Sequence, residues 1–260
     1  MNAFFFSRSD QNTIPVKRYS MESLFIPLNN VVDHAVRRAI FEQPDCKAFA
    51  LSSYADAEAS GEGQVFTQAL KRVEDPKLQR LIEQHQADEL RHAALLVARR
   101  EALGLSEHAI PDALRMIDRL SDAAGGILKS EMTSDADVAA AYTLLYVVEE
   151  RAMDEFRRAS AALRDAGDEE TAQLFDVIAR DEARHLRYCD AIARRYSADF
   201  DGELARMRAL ERSVYGAQSR AWTWHILSNG LLKLPTALGA LVKGMLKVTE
   251  WFTLPAMAPV

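Results

Sequence analysis

The sequence predicts an all-α protein built around a four-helix bundle with one long crossover connection. Three observations support this prediction. Alanine, leucine, glutamate and arginine dominate, whereas glycine and proline contribute only 11 and 8 of 260 residues. Apolar residues recur at helical spacing and almost nowhere alternate as in a strand. Four long helical patterns form two pairs, each joined by a short turn, and a longer segment separates the pairs.

The composition narrows the class of protein. With 48% hydrophobic and 27% charged residues, a chain of this length buries a large core without disulfides. The net charge of −6 argues against a broad nucleic-acid interface. Two cysteines, Cys46 and Cys189, are too few for a cysteine-rich metal site, and we expect buried thiols. Residues 1–10 do not read as a secretory signal, so we expect a cytoplasmic protein.

The first helix pair is predicted before the long connection. Its first helix runs from about Asp45 to Val73, and two internal glycines predict an irregular stretch. Its second helix opens at Asp75 and Pro76, an N-cap followed by proline at the first helical position. This helix ends at Leu103, directly before a glycine. The short turn between the two helices predicts an antiparallel hairpin.

The second helix pair follows the long connection. Its first helix starts at Ser134 or Asp135 and ends before Gly167. The next helix starts at Asp168 and runs to about Tyr196. These helices also share a short turn, which predicts a second antiparallel hairpin.

The chain divides into three predicted parts. Residues 1–43 form an N-terminal extension with a helical segment whose bounds are hard to read, and residues 44–200 form the bundle. Residues 201–260 form a C-terminal helical extension. The connection at 104–133 contains a helical stretch that begins at Pro111, and its length suffices to cross the bundle from end to end.

The C-terminal extension ends in a predicted amphipathic helix over residues 236–252. Its apolar residues fall on one stripe, and its lysines and glutamate lie off that stripe. The helix has three candidate roles: it caps the bundle, packs in a homodimer, or contacts a membrane surface. The longest uncharged stretch, 221–232, is too short to span a bilayer.

The second and fourth bundle helices carry the same pattern, D-E-x-R-H, at residues 88–92 and 181–185. Residues three apart lie on one helix face, so Glu and His of each pattern point the same way. Asp and Glu make up 38 of 260 residues, so one such pair is weak evidence, but two copies in equivalent helices are not expected by chance. The candidate metal ligands of these patterns are Glu89, His92, Glu182 and His185.

Each pattern needs a partner carboxylate on the neighbouring antiparallel helix. In a hairpin, that partner lies about as far before the turn as the pattern lies after it. This symmetry selects Glu58 in the first hairpin and Glu149 in the second. Glu149 lies on the apolar stripe of its helix, whereas Glu150 shares a face with polar residues. Glu62, one turn after Glu58, is the competing choice in the first helix.

Four carboxylates and two imidazoles that converge inside an apolar bundle require a cation. Buried carboxylates without compensation are very costly, and two divalent cations balance four negative charges. One Glu from each of two helices, with Glu-x-x-His from each of the other two, is a known di-iron arrangement in bundles. Carboxylate and imidazole ligands suit iron or manganese. The sequence therefore predicts two iron ions, with a manganese–iron pair as the alternative.

Residues 45–196 resemble the ferritin-like superfamily of di-iron carboxylate proteins. The D-E-x-R-H form is similar to its oxygen-activating branch, such as the bacterial multicomponent monooxygenase hydroxylases and the acyl-carrier-protein desaturases. By this resemblance, Glu89 and Glu182 bridge the two ions. Each ion then has its own pair of ligands: Glu58 with His92, and Glu149 with His185.

The resemblance also implies roles for the charged residues inside the repeated pattern. Asp88 and Asp181 orient the ligand histidines, and Arg91 and Arg184 fix these aspartates. Surface salt bridges are the alternative interpretation of the same four residues.

A few further residues near the predicted ligands have open roles. His85, one turn before Glu89, extends the pattern to H-x-x-x-E-x-x-H. A similar triple supplies a third histidine ligand in the di-iron arylamine N-oxygenases, although in their second helix pair; here we favour a hydrogen-bonded or solvated histidine. Tyr54, Tyr142 and Tyr146 are candidates for an oxygen pocket or redox-active phenols, and core packing is the favoured interpretation.

The resemblance implies a non-haem di-iron oxidase or oxygenase that uses O₂ as co-substrate to oxidise a small, apolar organic molecule. It also implies an external electron donor, a reductase or a ferredoxin. The alternative is a ferroxidase, a peroxidase or an iron-binding protein without an organic substrate. A rubrerythrin-like peroxidase usually carries a four-cysteine iron site, for which two cysteines are too few. The sequence indicates no catalytic residue beyond the metal ligands and no organic cofactor.

Overall fold

A computed structural model describes residues 21–60 and 63–253, and these ranges contain helices and no strand. The all-α prediction is confirmed. The nine helices of the described ranges are α1 (Met21–Glu42), α2 (Pro44–Ser60), α3 (Gly63–Arg72), α4 (Pro76–Ala102), α5 (Met116–Ala123), α6 (Asp135–Asp165), α7 (Glu169–Tyr196), α8 (Phe200–Ser228) and α9 (Thr236–Thr253).

The bundle consists of α2 continued by α3, then α4, α6 and α7. Helix α4 packs back on α2 and α3, and α7 packs back on α6, so both predicted hairpins form. Helix α4 also packs on α7, and α3 on α6, which joins the hairpins. The connection from α4 to α6 contributes Ile110 to the core near one end of the bundle and Leu128 near the other. The predicted four-helix bundle with one long crossover is therefore confirmed.

The bundle helices begin where the sequence signals them. The side chain of Asp75 accepts hydrogen bonds from two backbone N–H groups of the first turn of α4. Ser134 and Asp137 form a reciprocal capping box at the start of α6. Between α6 and α7, Gly167 takes a φ of 82°, and Asp168 then caps α7. The predicted first helix corresponds to α2 and α3, and residues 61–62, in the stretch that the glycines predict to be irregular, lie outside the described ranges.

The bundle core has two apolar clusters with a polar layer between them. The α3-side cluster includes Ile82 and Tyr188, and the α1-side cluster includes Leu96 and Phe175. On α4, Glu89 lies between Ile82 and Leu96, and the candidate ligands on α2, α6 and α7 occupy the same intermediate position. Apolar packing above and below therefore seals this layer from both ends of the bundle.

Helices outside the bundle cover its sides. Helix α1 packs on α2 and α6, and it places Ile40 and Phe41 in the α1-side cluster. Helix α8 packs on α5 and α6. Helix α1 is the helical addition predicted at the N-terminus, although the sequence did not predict its bounds, and residues 1–20 lie outside the described ranges. The predicted C-terminal amphipathic helix corresponds to α9, and no described helix is both long and apolar enough to cross a membrane.

Asp168 links the start of α7 to two other helices. Its side chain accepts a hydrogen bond from the backbone N–H of Thr171 and forms ion pairs with Lys47 and with Arg99 at 2.8 Å. We expect Asp168→Ala to lower the free energy of unfolding by about 3 kcal/mol, because it removes a helix cap and leaves a partly buried Lys47 without this partner. Urea denaturation monitored by circular dichroism measures this change.

Asp199→Ala is the matched control, because Asp199 caps α8 through Gly202 in an exposed setting. We expect it to cost about 1 kcal/mol. Burial opposes ionisation of Asp168, but the hydrogen bonds from Lys47, Thr171 and Arg99 together outweigh it and hold the pKa of Asp168 below its ordinary range. The Asp168→Ala deficit should therefore shrink as the pH falls below about 4. Equal losses in both variants would contradict this role of Asp168.

Candidate metal centre

The polar layer of the bundle contains all six residues that the sequence nominates as metal ligands. Each of the four bundle helices contributes at this level, and all six side chains are at most partly exposed. Helix α2 contributes Glu58 close to its last turn, α4 contributes Glu89 and His92, α6 contributes Glu149, and α7 contributes Glu182 and His185. Six side chains that are spread between residues 58 and 185 of the chain thus meet in one layer.

One group of candidate ligands, here called site A, consists of Glu58, Glu89, His92 and Glu182. One ligand atom from each lies within 4.8 Å of the others. The Nδ1 atom of His92 lies 3.0 Å from Oε2 of Glu58 and 3.3 Å from Oε1 of Glu182. Site A thus combines three carboxylates and one imidazole.

A second group, here called site B, consists of His85, Glu89, Glu149 and His185, again with ligand atoms within 4.8 Å. The Nδ1 atom of His185 lies 3.1 Å from Oε1 of Glu89 and 2.9 Å from Oε2 of Glu182. Glu89 belongs to both sites, and Glu182 approaches the histidines of both. These two carboxylates therefore lie between the sites, where the resemblance implies bridging ligands.

The structure shows which of the alternative partner carboxylates lie in the two sites. Glu149 is buried in site B, whereas Glu150 points away and forms an ion pair with Arg208 at 2.6 Å. Glu58 lies in site A, and Glu62 lies outside the described residues. His85 is fully buried, which excludes a solvated histidine, and its Nε2 atom lies 3.1 Å from Oε1 of Glu89, which agrees with the other expectation, a hydrogen-bonded histidine.

The aspartates of the repeated pattern cross between the two helices. Oδ2 of Asp181 on α7 lies 3.3 Å from Nε2 of His92 on α4. Oδ2 of Asp88 on α4 lies 3.4 Å from Nε2 of His185 on α7. Each aspartate thus faces the outer nitrogen of the histidine on the opposite helix and leaves Nδ1 directed at the carboxylates. A carboxylate at this nitrogen fixes the ring orientation and the tautomer of a metal-binding histidine.

Two arginines connect these aspartates. Arg91 donates hydrogen bonds to Asp88 at 2.9 Å and to Asp181 at 2.6 Å. Arg184 donates to Asp181 at 2.8 Å and to Asp88 at 2.6 Å. The four side chains form a closed, approximately twofold network across α4 and α7, so they do more than form isolated surface salt bridges.

The histidines compensate the buried carboxylates through their protonation. Burial opposes protonation of His92, but Glu182 and Glu58 outweigh it and raise its pKa to about 11. His185 has a pKa raised to about 9 by Glu182 and Glu89, again against burial. Burial and the nearby Glu89 raise the pKa of Glu58 well above its ordinary value. Without a bound cation, protons on these side chains therefore compensate the buried negative charge. Cation binding would displace the protons of the histidines, because an imidazole that binds a metal is neutral.

The two sites fit a pair of divalent ions. Ligand atoms on opposite sides of an ion bound at about 2.1 Å are about 4.2 Å apart, so the spread of up to 4.8 Å requires only a small contraction. Four carboxylates balance two divalent charges, and the donors are those that iron and manganese accept. The buried charge and the donor set thus agree with the predicted di-metal centre.

A cavity of about 730 Å³ adjoins the carboxylate side of the centre. Helices α1, α2, α5, α6 and α8 and the connection before α5 enclose it, and its lining includes the glutamates of both sites but none of their histidines. The rest of its wall is largely apolar, with side chains that include Val36, Ile40, Phe41, Met116, Ile117 and Trp222.

The cavity wall also contains a polar network that the sequence did not reveal. Glu155 forms a bidentate ion pair with Arg37, and the hydroxyl groups of Tyr54 and Tyr215 both donate to Glu155 at 3.1 Å. Burial opposes ionisation, but Arg37 outweighs it and lowers the pKa of Glu155. No local signal identifies this network, because its members come from four different helices, two of them outside the bundle.

The remaining residues singled out in the sequence have structural positions. Tyr54 lines the cavity, Tyr142 is buried in the α3-side cluster, and Tyr146 packs edge-on against Phe200. Cys46 and Cys189 are both buried, as predicted. Burial raises the pKa of the Cys46 thiol to about 12.

A comparison with protein families matches residues 60–199 to Methane/Phenol/Alkene Hydroxylase. The matched region extends over α3 to α7, so it includes both D-E-x-R-H patterns and Glu149, and it begins just after Glu58. Searches of curated proteins and of solved structures found no match.

Loss of the contact between Asp181 and His92 should weaken metal binding without preventing folding. We expect Asp181→Asn to lower the affinity of the centre for Fe²⁺ by about 10- to 100-fold, because His92 loses the carboxylate that orients its ring. Competition with a chromophoric chelator measures this affinity. Asp190→Asn on the same helix is the control, since Asp190 forms an ion pair with the exposed Arg194 at 2.9 Å. Equal affinities in both variants would contradict the positioning role.

Proposed function

The chain belongs to the methane/phenol/alkene hydroxylase family, a ferritin-like di-iron carboxylate family, and we propose that it is an O₂-dependent oxygenase. In this proposal, two iron ions bind in sites A and B, and the substrate is a neutral, largely apolar organic molecule. Glu58 and His92 would hold one ion, Glu149 and His185 would hold the other, and Glu89 and Glu182 would contribute to both.

The position of the cavity is the observation that most strongly favours an oxygenase. Its lining contains Glu58, Glu89, Glu149 and Glu182, so an organic molecule inside it would reach the carboxylate side of the centre. A ferroxidase or an iron-storage protein needs a route for ions and has no use for an apolar chamber of about 730 Å³. The cavity therefore favours oxidation of an organic substrate over these alternatives.

The metal and the chain have separate tasks. When bound, the iron pair supplies the reduction of O₂ and the oxidising equivalent for the substrate. The carboxylates hold the ions, and the Asp–Arg network orients the histidines. The apolar wall excludes water, and fewer oxidising equivalents are therefore lost in side reactions.

The charges around the cavity indicate a neutral substrate. Arg115 pairs with Asp56 at 3.0 Å, and Arg37 is bound by Glu155. A third lining arginine, Arg151, pairs with Glu211 at 2.8 Å. Within each pair the positive and negative charges cancel. A charged substrate would therefore gain little electrostatic attraction from these residues and would lose its hydration. A volume of about 730 Å³ lies in the range of sites for drug-sized ligands, so it accommodates more than a single aromatic ring.

The proposal includes an external electron donor, a reductase or a ferredoxin. The two cysteines of the chain are buried and far apart in sequence, so they do not supply an iron–sulfur site of their own. A cytoplasmic location, a homodimer and a membrane role for α9 stay predictions from the sequence.

Metal content and turnover test this function directly. We expect the iron-loaded protein to contain two iron ions per chain and the Glu89→Ala/Glu182→Ala double variant to contain none, because both shared carboxylates are lost. With a chemical reductant and ¹⁸O₂, the wild-type protein should place labelled oxygen in a neutral aromatic or alkene substrate. Elemental analysis and mass spectrometry measure the two outcomes.

Glu150→Ala provides the control for metal content, since Glu150 adjoins Glu149 in sequence but pairs with Arg208 outside the centre. It should retain both ions. Less than one iron per chain in the wild-type protein, unchanged in the double variant, would reject the di-iron centre. Two ions without labelled product would instead favour the storage or ferroxidase alternative.

Filling the cavity should impair substrate binding and leave the metal in place. Ala152 lines the cavity on α6, whereas Ala161 is exposed on the same helix. We expect Ala152→Phe to raise KM at least about tenfold and to divert reduced oxygen to hydrogen peroxide, because the added ring takes the place of substrate. Ala161→Phe should behave as wild type. Unchanged KM in Ala152→Phe would place the substrate elsewhere.

A further inference from the structure

The two D-E-x-R-H helices differ at the position one turn before the glutamate. In α4 this position is His85, four residues before Glu89. In α7 the matching position is Ile178, four residues before Glu182. Both side chains are fully buried, so they occupy comparable interior positions on the two helices. The repeat therefore places an imidazole on one side of the centre and an alkyl side chain on the other.

The ring of His85 lies among the ligands of site B. Its Nε2 atom is 3.1 Å from Oε1 of Glu89 and 3.0 Å from Oε1 of Glu149. Its ring centroid is 3.9 Å from that of His185, at an interplanar angle of 31°. These distances place Nε2 beside two carboxylate oxygens and an imidazole that are already proposed as ligands of one ion.

Aromatic neighbours hold the His85 ring in this position. The ring of Phe66 on α3 lies 4.5 Å away between centroids, and the ring of Tyr188 on α7 lies 5.2 Å away at 70°. Packing on two sides restricts rotation of the imidazole, so its nitrogen stays directed at the carboxylates. A ligand that is held in place before the metal arrives loses little conformational freedom on binding.

We infer that His85 is a third histidine ligand, which binds the ion in site B together with Glu89, Glu149 and His185. This inference rests on the proposed di-metal centre. It makes the two metal positions unequal, because the ion in site B would have two imidazole ligands, His85 and His185, whereas the ion in site A would have one, His92. Imidazole favours iron over harder ions such as manganese more than carboxylate does, so site B should be the more iron-selective position.

The additional ligand leaves the substrate side of the centre open. The cavity lining includes Glu89 and Glu149 but neither His85 nor His185. His85 therefore approaches site B from the side away from the cavity. It occupies one coordination position of that ion without restricting access of a substrate to the carboxylates.

His85→Ile tests this inference, because it gives α4 the residue that α7 already holds at Ile178. In Fe²⁺ titrations against a competing chelator, we expect one of the two dissociation constants to rise by at least about tenfold. Removal of a residue that only orients a metal ligand typically weakens metal binding about 10- to 100-fold, so removal of a ligand itself should weaken it at least about tenfold. The other constant should change less than about twofold. Ile178→Leu is the matched control for altered packing and should leave both constants unchanged.

X-ray absorption of the iron-loaded wild-type protein provides a test that needs no variant. Scattering from imidazole rings should correspond to three histidines for two ions, whereas a centre without His85 has two. Two bound ions with two histidines, or unchanged constants in His85→Ile, would overturn the inference and leave the proposed function intact. Failure of the wild-type protein to bind two ions would overturn both.

Discussion

The burial of four carboxylates in one layer of an apolar bundle is the constraint on which the rest of this structure depends. Burial of such carboxylates without a compensating charge would cost so much free energy that the core would not stay folded around them. Apolar clusters close the layer from both ends, and histidines from α4 and α7 compensate the charge from within. The bundle therefore pairs its helices so that each carboxylate meets an imidazole, a proton or a cation.

The exchange of aspartates between α4 and α7 connects this charge balance to the packing of the bundle. Asp88 faces His185 and Asp181 faces His92, so each helix orients the histidine of the other. Rotation or sliding of either helix would break both contacts together. The same network that sets the ligand geometry thus also sets the relative position of the two helices.

The bundle and the additional helices contribute different parts of the proposed function. The chemistry of the centre depends on α2, α4, α6 and α7, whereas the wall of the cavity is formed jointly by α2 and α6 of the bundle and by the outer helices α1, α5 and α8. Arg37 and Tyr215 reach the cavity wall from α1 and α8 and meet Glu155 there. Changes in these outer helices would alter which molecule is accepted while the metal ligands stay in place.

The sequence by itself determined the bundle helices, the hairpins, the crossover and the six candidate ligands. Helical periodicity, caps and a five-residue repeat are local signals, and turn symmetry extends them across a hairpin, so Glu58 and Glu149 followed from spacing. Only the tertiary structure decided how α1 and α8 pack and that His85 joins site B. Such contacts depend on the rotation and axial offset of helices far apart in the chain, and no local pattern encodes these.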